Sequence, residues 1–82
     1  MPEKPLFCLG EAWVELGADT VPELAETFRV SVSGWGAAFC RAYVRGGGHA
    51  ALLSQLGADP FGRKAAAQLA ADGIDCTHLC FT

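Results

Sequence analysis

Basic charge is scarce in this chain. Six Lys and Arg stand against nine Asp and Glu, a formal net charge of −3, and the six are scattered. That excludes the basic stripe of a nucleic-acid or anionic-membrane footprint. Long apolar runs are missing too, since none approaches the ~20 residues of a bilayer-spanning helix. The opening MPEKPLFCLG has one lysine and no adequate apolar core, so it does not read as a secretory signal, and a cytoplasmic protein is expected. In that setting Cys8, Cys40, Cys76 and Cys80 are expected to be free thiols rather than two disulfides. No G-x-x-x-x-G-K-[ST] phosphate loop, acidic cluster suited to Mg2+, internal repeat or low-complexity tract is present.

What is present is apolar and rich in glycine. The 82 residues are 51% hydrophobic, with ten glycines and four prolines, which argues against disorder. The length allows one small domain or part of a larger one, burying roughly 60–65% of its unfolded surface. Independent stability is expected to be marginal.

Residues 6–16, LFCLGEAWVEL, read as one first strand, nearly continuous in apolar character as in a parallel sheet covered on both faces. Residues 17–25 form a turn-rich connection. In 27–33, TFRVSVS, Phe28, Val30 and Val32 alternate with Arg29, Ser31 and Ser33, the pattern of a half-exposed strand. Residues 36–45 read as a helix, with Phe39 and Tyr43 four apart and Ala37, Cys40 and Val44 on a neighbouring face. The Gly46-Gly47-Gly48 run supplies its left-handed stop. A strand over 49–57 follows, and strand, helix, strand in succession imply a right-handed crossover into a parallel sheet. Asp59 as N-cap, Pro60 in the first turn and Gly73 as stop bracket a second helix, with Phe61, Ala65 and Leu69 on one face. Residues 74–82 read as a third buried strand.

Few residues offer chemistry. Cys76-x-His78-x-Cys80 fits tetrahedral metal spacing only loosely, so buried thiols and an ordinary histidine are expected. His49 and His78 have no paired carboxylate or serine at a meaningful spacing. Asp59 reads as a helix cap, and Glu11 divides between a strand-end carboxylate and a functional acid.

The segment SVSGWGAAFCRAYVRGGGHAALLSQLGADPFG resembles the first signature of the ribokinase-like (PfkB) carbohydrate kinases, with Gly34, Gly36, Gly47 and Gly57 at the family's intervals. The following LGADPFGRKAAAQLAADGID resembles the family's continuation through Leu56, Gly57, Asp59, Phe61, Gly62, Leu69, Gly73 and Asp75. GEAWVEL resembles its first strand, with Glu15 where an acidic residue is usual. ELAETFRVSVSG is similar to the branch that phosphorylates 2-keto-3-deoxygluconate and related sugars.

The resemblance implies an α/β fold: the N-terminal part, over residues 1–82, of a Rossmann-like parallel sheet with a β-lid (17–33), three-layered α/β/α when complete. It implies that Glu15, Ser33, Gly34, Trp35 and Gly36 face a small sugar or sugar acid. The helix opening near Gly36 would offer unpaired N–H groups there. The resemblance also implies ATP and Mg2+ as cofactors of the complete fold, none of them bound by this chain alone, and pairing of two copies through the lid. No catalytic residue can be carried over, because the family's base, anion-hole glycines and ATP site lie in its later part; a Gly-Ala-Gly-Asp run is absent here. Within the signature the chain departs at Ser33 for glycine, Trp35 and Cys40 for small residues, and Ala38 for the asparagine that contacts sugar. Trp35 reads either as a stacking face or as filler for a hydrophobic gap. The alternative function is a non-catalytic α/β module that keeps the half-fold for ligand binding or assembly.

Overall fold

The structure, a computed structural model, describes residues 5–82, so the first four residues of the expected unit lie outside the described ones. Its elements are β1 (Leu6–Leu9), β2 (Trp13–Gly17), a 3-10 turn (Pro22–Leu24), β3 (Arg29–Ser33), α1 (Trp35–Arg45), β4 (Ala50–Leu53), β5 (Gln55–Leu56), α2 (Pro60–Ala71) and β6 (Cys80–Phe81).

The expected first strand is two strands belonging to different sheets. β1 pairs in parallel with β4, Leu6 opposite Ala50 through Leu9 opposite Leu53. β2 pairs antiparallel with β3, Trp13 opposite Ser33 and Gly17 opposite Arg29. The break falls at Gly10-Glu11-Ala12, where the chain leaves the central sheet for the outer ribbon. A parallel sheet is therefore present, but the parallel partner of β4 is β1, not the strand just before the helix. Parallel strands need a long connection, and β2, β3 and α1 supply it.

The expected strand over 49–57 is broken at Ser54 into β4 and β5, and in residues 74–82 only Cys80–Phe81 is strand, with a single bridge at Asp75 and a turn at Thr77-His78. Asp75 adds one parallel bridge beside Ala51, its N–H donating to Ala50 O at 2.8 Å and its C=O accepting from Leu52 at 3.1 Å. β6 then pairs with β5, Gln55 opposite Cys80, and is exposed rather than buried. Ile74 and Leu79 still reach the core, from outside any strand.

α1 packs on β1 and β4 through its small side: Gly36, Ala37 and Cys40 are buried, while Phe39 and Tyr43 face outward. These small residues let the helix backbone approach the sheet, with Cys8, Ala50 and Leu52 beneath. Gly46 caps α1, and Gly47 (φ +95°) takes the left-handed turn expected of the glycine run. α2 begins as its sequence dictates, the Asp59 carboxylate accepting from Gly62 N–H at 2.8 Å with Pro60 in the first turn. Ala65 and Leu69 are fully buried, but Phe61, expected on the same face, is 51% exposed.

α2 also reaches the ribbon. Val32 is buried in the same core cluster as Ala65 and Leu69, with Val14 packed against it. The ribbon's valine face is thus its inner side, and the alternate residues form the other face.

Candidate functional site

The two-residue strand period places Trp13 and Glu15 of β2 on one face with Ser31 and Ser33 of β3. The register sets them directly opposite, Glu15 against Ser31 and Trp13 against Ser33. Glu15 is exposed, and one of its carboxylate oxygens accepts from the Trp13 indole N–H at 3.2 Å. Arg29 ends this face, and its guanidinium is tied to Asp19 at 2.8 Å. A carboxylate, two hydroxyls and an aromatic ring on one surface are groups chemically suited to a polyol: an acid can accept hydroxyl protons, and a ring can cover C–H groups.

At the root of the ribbon, Gly34 and Gly36 sit against the Gly10-Glu11-Ala12 crossing. Gly34 has φ +108°, and a Cβ there would lie 2.5 Å from Glu11 O. A Cβ on Gly36 would lie 2.8 Å from both Glu11 N and Glu11 O. Packing of backbone on backbone thus accounts for both glycines, and the sugar-approach role expected of them is not needed to explain them. Ala37 N–H donates to Glu11 O at 3.3 Å, so one of the helix-opening donors expected to be free is already used.

Trp35 opens α1 and is 59% exposed, so it fills no gap among the described residues. Ala38 lies exposed in the same turn. The fold therefore joins Ser33, Gly34, Trp35 and Gly36 in one continuous turn, with Glu15 further out along the ribbon. Trp13 and Ser31 were missed from sequence. Period-two counting from Glu15 and Ser33 would have found both.

An open cavity of about 720 Å³ lies at the outer part of the ribbon, lined by Glu15, Leu16, Gly17, Phe28, Arg29, Val30, Ser31 and Lys64. It shares Glu15 and Ser31 with the polar face, while Leu16 and Val30 fall on the valine side and Lys64 comes from α2. Elsewhere the candidates disperse. Cys76 directs its thiol to the carbonyls of Ala66 and Ile74, and the His78 ring meets Phe7 edge-on at 5.9 Å. Among the described residues no three His, Cys, Asp or Glu gather as metal ligands. The four cysteines are free. No helix among the described residues is long and apolar enough to cross a membrane.

A family model described as pfkB family carbohydrate kinase matches residues 4–81. The chain belongs to this family. Solved structures agree, and their fold is the ribokinase-like α/β fold. A PfkB protein from Polaromonas sp. JS666 is 33% identical over 98% of this chain, with a TM-score of 0.83. A fructokinase from Vibrio cholerae O395 is 30% identical over 94% of the chain, with a TM-score of 0.82. The 2-dehydro-3-deoxygluconokinase of Thermotoga maritima, at 20% identity over 94%, has a TM-score of 0.86 and shares the fold. The PfkB chain covers only 27%, 25% and 24% of those three proteins, about a quarter of each. No curated protein shows a match.

Proposed function

We propose that this chain forms the sugar-facing part of an ATP-dependent carbohydrate kinase, which transfers a phosphoryl group to a hydroxyl of a small sugar or sugar acid such as a ketohexose or 2-keto-3-deoxygluconate. The observation that carries this reading is the shared face of Trp13, Glu15, Ser31 and Ser33, rooted at the turn that opens α1. In the proposal Glu15 accepts from substrate hydroxyls, and Ser31 and Ser33 offer hydroxyls of their own. Trp35 lends a stacking face where the ribbon meets α1. Gly34 and Gly36 hold that turn in place through their packing on Glu11. The setting proposed is cytoplasmic.

Phosphoryl transfer depends on positioning and on stabilising charge on the transferred group. The residues described here serve positioning of the acceptor. Metal-bound nucleotide would supply the phosphoryl group, and no cluster in residues 5–82 fits the metal. A fructokinase from Xylella fastidiosa that this chain resembles was solved with bound ATP, which supports ATP as the donor.

The test is equilibrium binding of fructose and of 2-keto-3-deoxygluconate to the chain and to Glu15→Ala. The expected result is saturable binding of one sugar, weakened about tenfold or more by loss of the carboxylate, the scale of a hydrogen bond to a charged group. Binding indifferent to Glu15→Ala would refute the site.

A further inference from the structure

The hydrogen bond from the Trp13 indole to Glu15 joins neighbours on one strand face, and among the described residues it is the side-chain hydrogen bond that Glu15 makes. Glutamate on an exposed strand otherwise samples several rotamers, and ordering it on binding costs free energy. An indole N–H is a donor only, while a carboxylate offers about four acceptor sites. Engaging Oε1 therefore restricts the carboxylate and leaves Oε2 without a donor among the described residues.

Trp13 is 45% exposed and lies opposite Ser33, so the ring is partly accessible beside the hydroxyl. We propose that Trp13 is a positioning residue: it holds the Glu15 carboxylate so that its free oxygen accepts from a sugar's adjacent hydroxyls, while the indole face covers the sugar's C–H side. This rests on the carbohydrate-binding reading above and adds to it the residue through which Glu15 acts. The ligand class follows as a sugar with neighbouring hydroxyls and an apolar face. Phenylalanine at position 13 would keep the wall and lose the tether.

The experiment uses the whole chain, labelled with 15N, in four forms: parent, Trp13→Phe, Glu15→Ala and the double variant. The Trp13 indole resonance is assigned by its loss in Trp13→Phe. Without sugar, Glu15→Ala is expected to shift that resonance and to speed its exchange with water severalfold. Titrations with fructose and 2-keto-3-deoxygluconate are expected to show a three- to tenfold loss of affinity in Trp13→Phe, and no further loss when it is added to Glu15→Ala. An indole resonance indifferent to Glu15→Ala overturns the tether while leaving sugar binding intact. Losses that multiply in the double variant also overturn it, because Trp13 would then act on sugar independently of Glu15. If the parent binds neither sugar, the carbohydrate reading itself fails, and this proposal with it.

Discussion

Arg41 and Asp72 join the two helices: Arg41 Nε donates to Asp72 Oδ2 at 2.9 Å, from the middle of α1 to the C-cap of α2. The same guanidinium donates to Val32 O of β3 at 3.0 Å. One side chain therefore ties both helices to β3 of the ribbon, next to Ser33. Both partners are largely shielded, with side chains 21% and 31% exposed.

Removing either partner should consequently cost more than a surface ion pair does. Arg41→Ala is expected to lower unfolding stability by about 1–3 kcal/mol, the range for charge-assisted hydrogen bonds with shielded partners. Asp72→Asn should cost less, since an amide oxygen can still accept. Arg41→Lys should recover only part of the loss, because an ammonium cannot present the planar fork to both acceptors. Thermal melts of the three variants check the order. Equal melts for Arg41→Ala and parent would show that the pair adds nothing.

The glycine turn gives a second test, separating crowding from backbone conformation. Gly36→Ala would drive a Cβ to 2.8 Å from the Glu11 backbone, within a helix whose φ any residue accepts. Gly47→Ala meets no atom within 4 Å and faces only its φ of +95°. Gly47→Ala should cost about 1 kcal/mol, the penalty of a left-handed residue. Gly36→Ala should cost more, about 2–3 kcal/mol, because backbone must move. Chemical denaturation of both variants checks this, and the reverse order would show that the Glu11 crossing yields freely.

Much of this was legible in the sequence, and the parts that were not share a physical cause. The cap at Asp59, the stop at Gly47 and the alternation of 27–33 are local signals, and each appears in the structure, though the strand begins only at Arg29. The crossing at Gly10-Glu11-Ala12 was hidden because apolar residues continue through it: Cys8 and Val14 reach the same core from different sheets. Only the pairing partners, 44 residues on for β1 and 12 to 20 for β2, distinguish the two strands. Residues 74–82 misled for a similar reason. Ile74 and Leu79 are buried like strand residues but reach the core from outside any strand. In the site, the resemblance drew attention to Gly34 and Gly36, while Trp13 lay outside the glycine signature and was placed beside Ser33 by the register.

Thiol reactivity should follow burial. Cys40 is fully buried, and burial together with the neighbouring Cys8 thiol pushes its pKa up from 9.0 to about 11. Cys76 is raised as well, by burial and then by the Asp75 carboxylate, whereas Cys80 is exposed. At pH 8, alkylation is expected at Cys80 first, then Cys76, with Cys40 reacting only on unfolding. The sign for stability follows. A thiol whose folded pKa is raised stabilises the fold fully below about 9, and that contribution is lost as pH climbs toward 11. Unfolding free energy should fall across that window, less steeply in Cys40→Ala. Mass spectrometry of timed alkylation checks the order, and early labelling of Cys40 would contradict it.

The last prediction concerns Ala38, the position at which the kinase signature carries asparagine. Trp35 points outward at 59% exposure and Ala38 is itself exposed, so Ala38→Asn buries no amide. Its effect on stability should stay within about 0.5 kcal/mol, as for surface substitutions away from special features. Binding is where a difference should appear. The new amide would add a donor and an acceptor in the first turn of α1, next to the Ser33-Gly34 turn. A matched hydrogen bond to a sugar hydroxyl is worth about 0.5–1.5 kcal/mol, so affinity should rise roughly three- to tenfold. Calorimetric titration of parent and variant with fructose and 2-keto-3-deoxygluconate, alongside thermal melts, separates the outcomes. A gain for one sugar alone would name the substrate branch. An unchanged affinity with an unchanged melt would mean that residue 38 faces solvent away from the sugar, and that this chain holds its ligand through the ribbon without the helix.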